Sequence, residues 1–302
     1  MLFYLDEINR EMSSSAEAYI ASCEEEFRNK INALCDGISA RKGRVLVMLA
    51  GPSSSGKTTT AKLLADGIRK HGRGATVISL DDFYLGKEVS FTFEDGTVDY
   101  ETVKALDLEC INKSMHALLD KGEGMIPRFN FKTGSRDGFV SVKAEDDEVI
   151  ILEGLHALNP LITEPLADEA MVRLYISVSS RIADESGILM SKRDLRFIRR
   201  LIRDFHHRNS VAERTFYLWR GVRMGEDRYL FPYSDRADVK IDSIHPYEVC
   251  VFGKEAIKLL DSVGPDSIYY NEACLLKEKA ERFIQKERSL VPDTSLLNEF
   301  LE

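Results

Sequence analysis

The residues with the plainest chemistry lie at 51–58, where Gly51-Pro52-Ser53-Ser54-Ser55-Gly56-Lys57-Thr58 satisfies the spacing GxxxxGK[ST]. Glycines at both ends let the backbone curl so that successive N–H groups point inward and cradle phosphate oxygens. Gly51, Ser53, Ser54, Ser55, Gly56 and Thr59 would form that cradle, Lys57 would reach the β- and γ-phosphates, and Thr58 would offer its hydroxyl to magnesium. The apolar run VLVMLA (45–50) leads into the loop and TTAKLLADGIRK leads out of it as a helix, whose N-terminus adds positive potential. A plain Gly- and Ser-rich turn would not require Lys-Thr at this offset. The pattern implies NTP binding, and it does not by itself separate a kinase from a GTPase or a motor.

Three acids and a row of arginines extend the chemistry. Ser79-Leu80-Asp81-Asp82-Phe83-Tyr84 ends a second apolar run and sets two carboxylates at the edge where open α/β sheets bind ligands. Phosphoryl transfer to an alcohol benefits from a carboxylate that orients the hydroxyl and takes its proton; Asp81, nearer the strand, is the candidate base, with helix capping as the alternative for either acid. Glu153 closes the run VIIL, where an acid is costly unless it has a partner, and the magnesium shell is the partner it would share with Thr58, a structural role being the alternative. Arg196, Arg199, Arg200 and Arg203 recur at i, i+3, i+4 and i+7 and so share one helical face, while Leu195, Ile198, Ile202 and Phe205 share another. Crowded like charges repel; a polyphosphate between them would relieve that repulsion, with Arg208 as a further donor. The alternative is a solvated face neutralised by Asp194, Asp204 and distant acids. His206 and His207 lack a third ligand at metal spacing and read as polar lid residues.

These side chains need a scaffold, and the apolar pattern supplies one. Runs at 45–50, 75–80, 148–153, 171–176 and 237–242 alternate with helical stretches, which argues for βαβ units: an α/β fold with a parallel sheet and helices on both faces. MIPRFNF and GFVSVKA, flanking KTGSRD, predict a β-hairpin over about 124–143 inserted beside the sheet. Ile20, Phe27, Ile31 and Leu34 predict a helix through residues 1–40. The end of the chain reads as helix from Glu272 to Arg288, then a Pro and a capping acid or serine before a last short helix. The expected organisation is an N-terminal helical extension (1–40), a core (41–262) with an arginine-rich helical lid at about 190–225, and a C-terminal helical extension (263–302).

Composition narrows the class. With 302 residues, 44% of them apolar, the chain can bury one sizeable core. Its five cysteines have no CxxC spacing, which fits reduced thiols and a cytoplasmic setting better than disulfides or a zinc site. No apolar run approaches the ~20 residues of a membrane helix, and no basic-then-apolar leader opens the sequence, so neither a membrane nor secretion is expected. A formal charge of -9 opposes non-specific attraction to nucleic acid. A small molecule is the expected partner, with homo-oligomerisation left open.

GPSSSGKT, SLDDFY, FNFKTGSR, ILEGLHALNP, RRLIRDFHHR and FPYSDRADVKID, in that order across 44 to about 245, resemble the uridine kinase and phosphoribulokinase superfamily. The resemblance is closest to a bacterial uridine-kinase-like branch often fused to an N-terminal TGS domain, which is not present in this sequence. It implies a P-loop kinase using ATP and Mg2+, with Asp81 as base, Tyr84 beside it, Glu153 near magnesium, and Arg200, Arg203 and Arg208 in a lid over the phosphates. Ribose recognition by an acid in FTFEDGTVDYE is implied too, Asp99 being favoured over Glu94, and Phe129 and Arg136 in the hairpin are candidate acceptor contacts. Pyrimidine nucleoside kinases carry a tyrosine and a histidine in the hairpin to read the base; Phe129 and Gly134 stand at those positions here, Asn130 stands for an aspartate, and Ser210 for a second lid arginine. Uridine specificity is therefore not carried over with the fold. Phe129 and Phe131 could stack on an aromatic acceptor or be core. A nucleoside is the expected acceptor; a sugar phosphate, glycerate or a pantothenate-like acid are alternatives, as is a nucleotide-gated module, although Asn112-Lys113-Ser114-Met115 is no NKxD guanine reader.

Overall fold

A computed structural model of the chain describes residues 1–86, 89, 91–92, 94, 96, 99, 101–166 and 171–301. In chain order the elements are β1 (Leu2–Tyr4), α1 (Leu5–Ser39), β2 (Val45–Ala50), α2 (Lys57–Lys70), β3 (Ala75–Ser79), α3 (Leu108–His116), β4 (Glu123–Asn130) and β5 (Ser135–Lys143). There follow β6 (Val149–Glu153), α4 (Pro160–Thr163), β7 (Met171–Ser177), β8 (Arg181–Asp184), β9 (Gly187–Met190), α5 (Lys192–Arg208) and α6 (Ala212–Tyr229). The chain closes with β10 (Val239–Asp242), α7 (Glu248–Asp261), α8 (Tyr270–Glu281) and α9 (Asn298–Leu301).

The central sheet has the order β10-β7-β2-β6-β3, with every neighbouring pair parallel. Strand β2 shows why the sequence reads as continuous apolar runs and not as alternation. Val45, Val47 and Leu49 enter one core with α1 and α2, while Leu46, Met48 and Ala50 enter a second core with α3 and the hairpin. A strand covered on both faces has no solvent side on which to place polar residues. Parallel strands also bring all their carboxyl ends to one edge, so the loop after β2, the turn after β3 and Glu153 at the end of β6 converge there.

Hairpin β4-β5 forms where the alternation placed it, with a register shift at Arg128/Phe129. The arginine helix α5 begins in a capping box, Ser191 accepting from the Asp194 N–H and Asp194 from the Ser191 N–H, and ends at Asn209 in a left-handed conformation (φ 48°) before α6 turns back. Both terminal segments share the main core: Ile8, Met12, Ile20 and Cys35 of α1, and Leu296, Leu297 and Phe300 near the C-terminus, are fully or almost fully buried in it.

Three local expectations are corrected. The first residues form a strand, β1, paired parallel with β8, before α1 begins. The β8-β9 hairpin, too short to show a period, is an addition. The helix expected over Glu272 to Arg288 stops at Glu281, because Gln285 folds back and its amide donates to the carbonyls of Ala280 (3.1 Å) and Phe283 (2.8 Å) while Phe283 turns into the core. Of the stretch 91–101, residues 93, 95, 97, 98 and 100 lie outside the described residues. All five cysteines are free, and among the described residues no helix is long and apolar enough to cross a membrane.

Candidate active site

The loop between β2 and α2 is shaped by close packing. A Cβ at Gly51 would collide with the Ile176 carbonyl, Gly56 adopts φ 87°, and Ser54 takes φ 58°, a left-handed turn that aims successive amides to one side. The loop is also gripped from behind. Arg196 Nε donates to the Ser53 carbonyl (2.9 Å), Arg199 Nη1 to the Ser54 carbonyl (3.5 Å), and the Ser53 N–H donates to Glu226 Oε1 (2.8 Å). Arg196 pairs with Glu226, and Arg199 with Glu248, all four side chains being almost wholly buried. Burial pushes the Glu248 carboxyl up to about 7 even though Arg199 opposes the shift. The arginine stripe is thus split. Arg196 and Arg199 brace the loop from inside the core and do not reach the cavity, whereas Arg200, Arg203 and Arg208 line it.

That cavity, about 660 Å³, is where the expected groups meet. Ser53, Ser54, Lys57, Thr58, Asp81, Glu153 and the three arginines all border it. Thr58 Oγ1 donates to Glu153 Oε1 (3.4 Å) and Ser79 Oγ to the same oxygen (2.9 Å). Burial raises the Glu153 carboxyl to about 7, with Lys57 opposing and Asp81 adding to the shift. Asp81 reaches the open cavity yet sits among dense protein atoms; burial raises its carboxyl, Lys57 pulls it back, and Asp82 adds repulsion. Asp82 is differently employed, since its Oδ1 accepts from the Phe129 N–H (3.2 Å) and its Oδ2 lies 3.5 Å from Arg128. Of the neighbouring acids, Asp81 is the one turned to the cavity.

A single buried carboxylate organises the lid arginines. Asp204 lies 3.2 Å from Arg200 Nε, 3.4 Å from Arg203 Nη2 and 3.2 Å from Arg208 Nη1, while Arg200 Nη1 donates to Ser53 Oγ (2.8 Å). One negative charge holding three positive ones leaves a net positive wall facing Lys57. Asp194, the other acid expected to neutralise this face, instead caps α5 and pairs with Lys279 at 2.8 Å.

Tyr84, Phe129 and Phe131, which border the same cavity, form an aromatic group, with ring centroids 5.0 Å apart for the two phenylalanines and 5.7 Å for Tyr84–Phe129. Asp99 borders the cavity, but both its oxygens are engaged: Tyr229 OH donates to one (2.6 Å) and the Glu101 N–H to the other (3.2 Å). Glu101 also borders it, its carboxyl pushed up to about 7 by burial and by repulsion from Glu226, with Arg200 and Lys57 opposing. Sequence reasoning overlooked Glu101; an acid two residues beyond Asp99 was the available signal. Glu94 is exposed and away from the cavity. Arg136 departs from its expected place too. Its guanidinium holds Asp107 (3.2 Å) and the Tyr84 carbonyl (3.5 Å) behind the hairpin, outside the cavity, and so supports Tyr84 from the rear.

The donor set suits a magnesium nucleotide. Thr58 and Glu153 present hard oxygens side by side, and Ser54 Oγ, Ser55 Oγ and Arg203 Nε are buried with no protein partner around the loop. Among the described residues there is no His/Cys/Asp/Glu cluster of the kind that would hold a metal without a nucleotide's help.

A five-stranded parallel sheet, a phosphate loop at its carboxyl edge and a lid of arginines define a P-loop phosphotransferase. The comparisons agree: residues 46–249, well over half of the chain, match the Phosphoribulokinase / Uridine kinase family, and the protein belongs to that family. A uridine kinase of Anoxybacillus flavithermus is 28% identical over 204 residues, covering 67% of this chain and 87% of that protein. One of Ureaplasma parvum is 26% identical over 202 residues, covering 66% and 88%. A solved structure from Silicibacter sp. TM1040, named provisionally as a fructose transport system kinase, superimposes with a TM-score of 0.51 at 21% identity over 70% of this chain and 98% of its own. Family membership implies ATP and Mg2+ as the phosphoryl donor and metal.

Proposed function

We propose that the protein transfers the γ-phosphate of ATP to the hydroxyl of a small acceptor, and that the acceptor is a nucleoside taking phosphate at its 5′-hydroxyl. The observation that carries this reading is that Lys57, Asp81, Thr58, Glu153 and the three lid arginines all border one cavity. Lys57 and the loop amides hold the triphosphate. Thr58 and Glu153 would hold magnesium, which when bound offsets charge on the phosphate oxygens. Asp81 orients the acceptor hydroxyl and takes its proton, while Arg200, Arg203 and Arg208 stabilise charge on the transferring group. Because α5 is anchored in the core along Leu195, Ile198, Leu201 and Ile202, its arginines would meet the phosphates already in place and not by a lid swinging shut, which departs from the mobile lid expected from the sequence.

The nucleoside assignment draws on the relatives named uridine kinases and on the aromatic group of Tyr84, Phe129 and Phe131, which offers faces for a planar base. Glu101, beside Asp99, is positioned to accept from sugar hydroxyls. A second reading is a kinase for a different small alcohol: Gly134 borders the cavity without a side chain that could read a base edge. The test is ADP release measured with MgATP against a panel of nucleosides, phosphorylated sugars, glycerate and pantothenate. Turnover that requires a nucleoside supports the first reading, a preference for a sugar or acid supports the second, and hydrolysis indifferent to any acceptor contradicts both.

A further inference from the structure

The α2 N-terminus is already engaged by an anion, and that anion belongs to the protein. Glu299, in the short C-terminal helix α9, accepts through Oε2 from the Thr59 N–H (3.2 Å) and the Thr59 hydroxyl (2.8 Å). The same side chain borders the cavity that holds Lys57 and Thr58. Thr59 is the second residue after the loop lysine, so its amide belongs to the set that would cradle the phosphates nearest the nucleoside.

The segment carrying Glu299 is firmly held. Leu296 packs against Gly56 so tightly that a Cβ there would strike it, and Leu296, Leu297 and Phe300 are wholly buried, Phe300 lying beneath the Arg199 guanidinium at 5.2 Å. Just upstream, Ser295 Oγ donates to Glu24 Oε1 (2.6 Å), an oxygen that Tyr247 OH also contacts. Release of the whole segment would strip three apolar side chains from the core. Rotation of the half-buried Glu299 side chain would not.

We infer that Glu299 is an internal competitor for nucleotide phosphate: its carboxylate occupies the Thr59 donors until an incoming phosphate displaces it, so the C-terminal segment sets the affinity of the donor site. The inference rests on the loop being a nucleotide-phosphate cradle. The physics is an exchange of one anion for another at donors that cannot serve both, with the displaced carboxylate then repelled by the phosphates it faces.

The test is the affinity for MgADP, read by calorimetry at fixed ionic strength, for the unaltered protein, Glu299→Gln, Glu299→Asp and Lys57→Ala. Removing the charge is expected to tighten binding about twofold to tenfold. Glu299→Asp, whose carboxylate is one methylene shorter, is expected to fall between, and it carries the test if the Gln variant does not fold. Unchanged or weaker binding in both Glu299 variants, alongside the expected loss in Lys57→Ala, overturns the competitor while leaving the cradle standing. Full affinity in Lys57→Ala overturns the cradle and the competitor together.

Discussion

The two ends of the cavity are built on different principles. Around the phosphate loop, buried ion pairs set the framework: Arg196 with Glu226, Arg199 with Glu248, and Asp204 with three arginines. Toward the hairpin, the aromatic rings of Tyr84, Phe129 and Phe131 border the cavity, and Phe131 is 64% exposed. Buried ion pairs fix geometry because a misplaced partner leaves a charge uncompensated. Exposed aromatic contacts tolerate displacement at little cost. A kinase of this type can therefore keep its donor machinery constant while the acceptor end changes.

The largest expected effect is where the two ends meet, at the residue proposed to take the acceptor's proton. Asp81→Asn should lower kcat by about 10²–10⁴-fold, the usual contribution of a general base, with nucleotide affinity retained. Because burial raises the Asp81 carboxyl, the pH profile of kcat/KM should fall with acidity at a pH above the ordinary aspartate range: the base works once it has lost its proton, and the proton is held longer than in water. A flat profile down to pH 4 would place the base elsewhere. Breaking the bracing pair with Arg199→Met should cost about 3–5 kcal/mol in chemical denaturation, since Glu248 would be left buried without its partner. If that variant is as stable as the parent, the loop is held by something other than buried charge.

Arg203→Ala should reduce kcat by about 10²–10³-fold, similar to the loss of one preorganised donor to developing charge, with little change in the acceptor KM. An effect confined to the acceptor KM would move Arg203 to the other end of the cavity. The smallest change is expected from Phe131→Ala. A lost aromatic contact of about 0.5–1.5 kcal/mol raises the acceptor KM by roughly twofold to tenfold and leaves nucleotide affinity alone. A nucleotide-affinity loss as large as the acceptor loss would erase the distinction between the two ends.

The same division governs what could be read in the sequence. The loop, its flanking strand and helix, and the placement of Asp81 and Glu153 at strand ends beside the cavity were legible because each follows an apolar run. The parallel sheet was legible because burial on both faces leaves unbroken runs such as VLVMLA. Helical spacing put four arginines on one face but could not tell that two of them turn into the core, since their partners Glu226 and Glu248 lie 30 and 49 residues away. Glu101 was overlooked and Arg136 misplaced for a related reason. Whether an acid or an arginine is free to meet a ligand depends on which neighbour has engaged it first, as Tyr229 engages Asp99 and Asp107 engages Arg136. Glu299 gave no signal at all, because its significance comes from tertiary contact between residues 240 positions apart.

The central claim is that one cavity holds a nucleotide's phosphates at Lys57 and an acceptor hydroxyl at Asp81. It is tested most directly by following label from γ-labelled ATP into a mixed pool of nucleosides and small alcohols, in the unaltered protein and in Asp81→Asn, with MgADP binding measured on both. The account predicts label in one acceptor class with the unaltered protein, none above background with Asp81→Asn, and equal MgADP affinity. Undiminished transfer by Asp81→Asn, or loss of MgADP binding together with transfer, would contradict it.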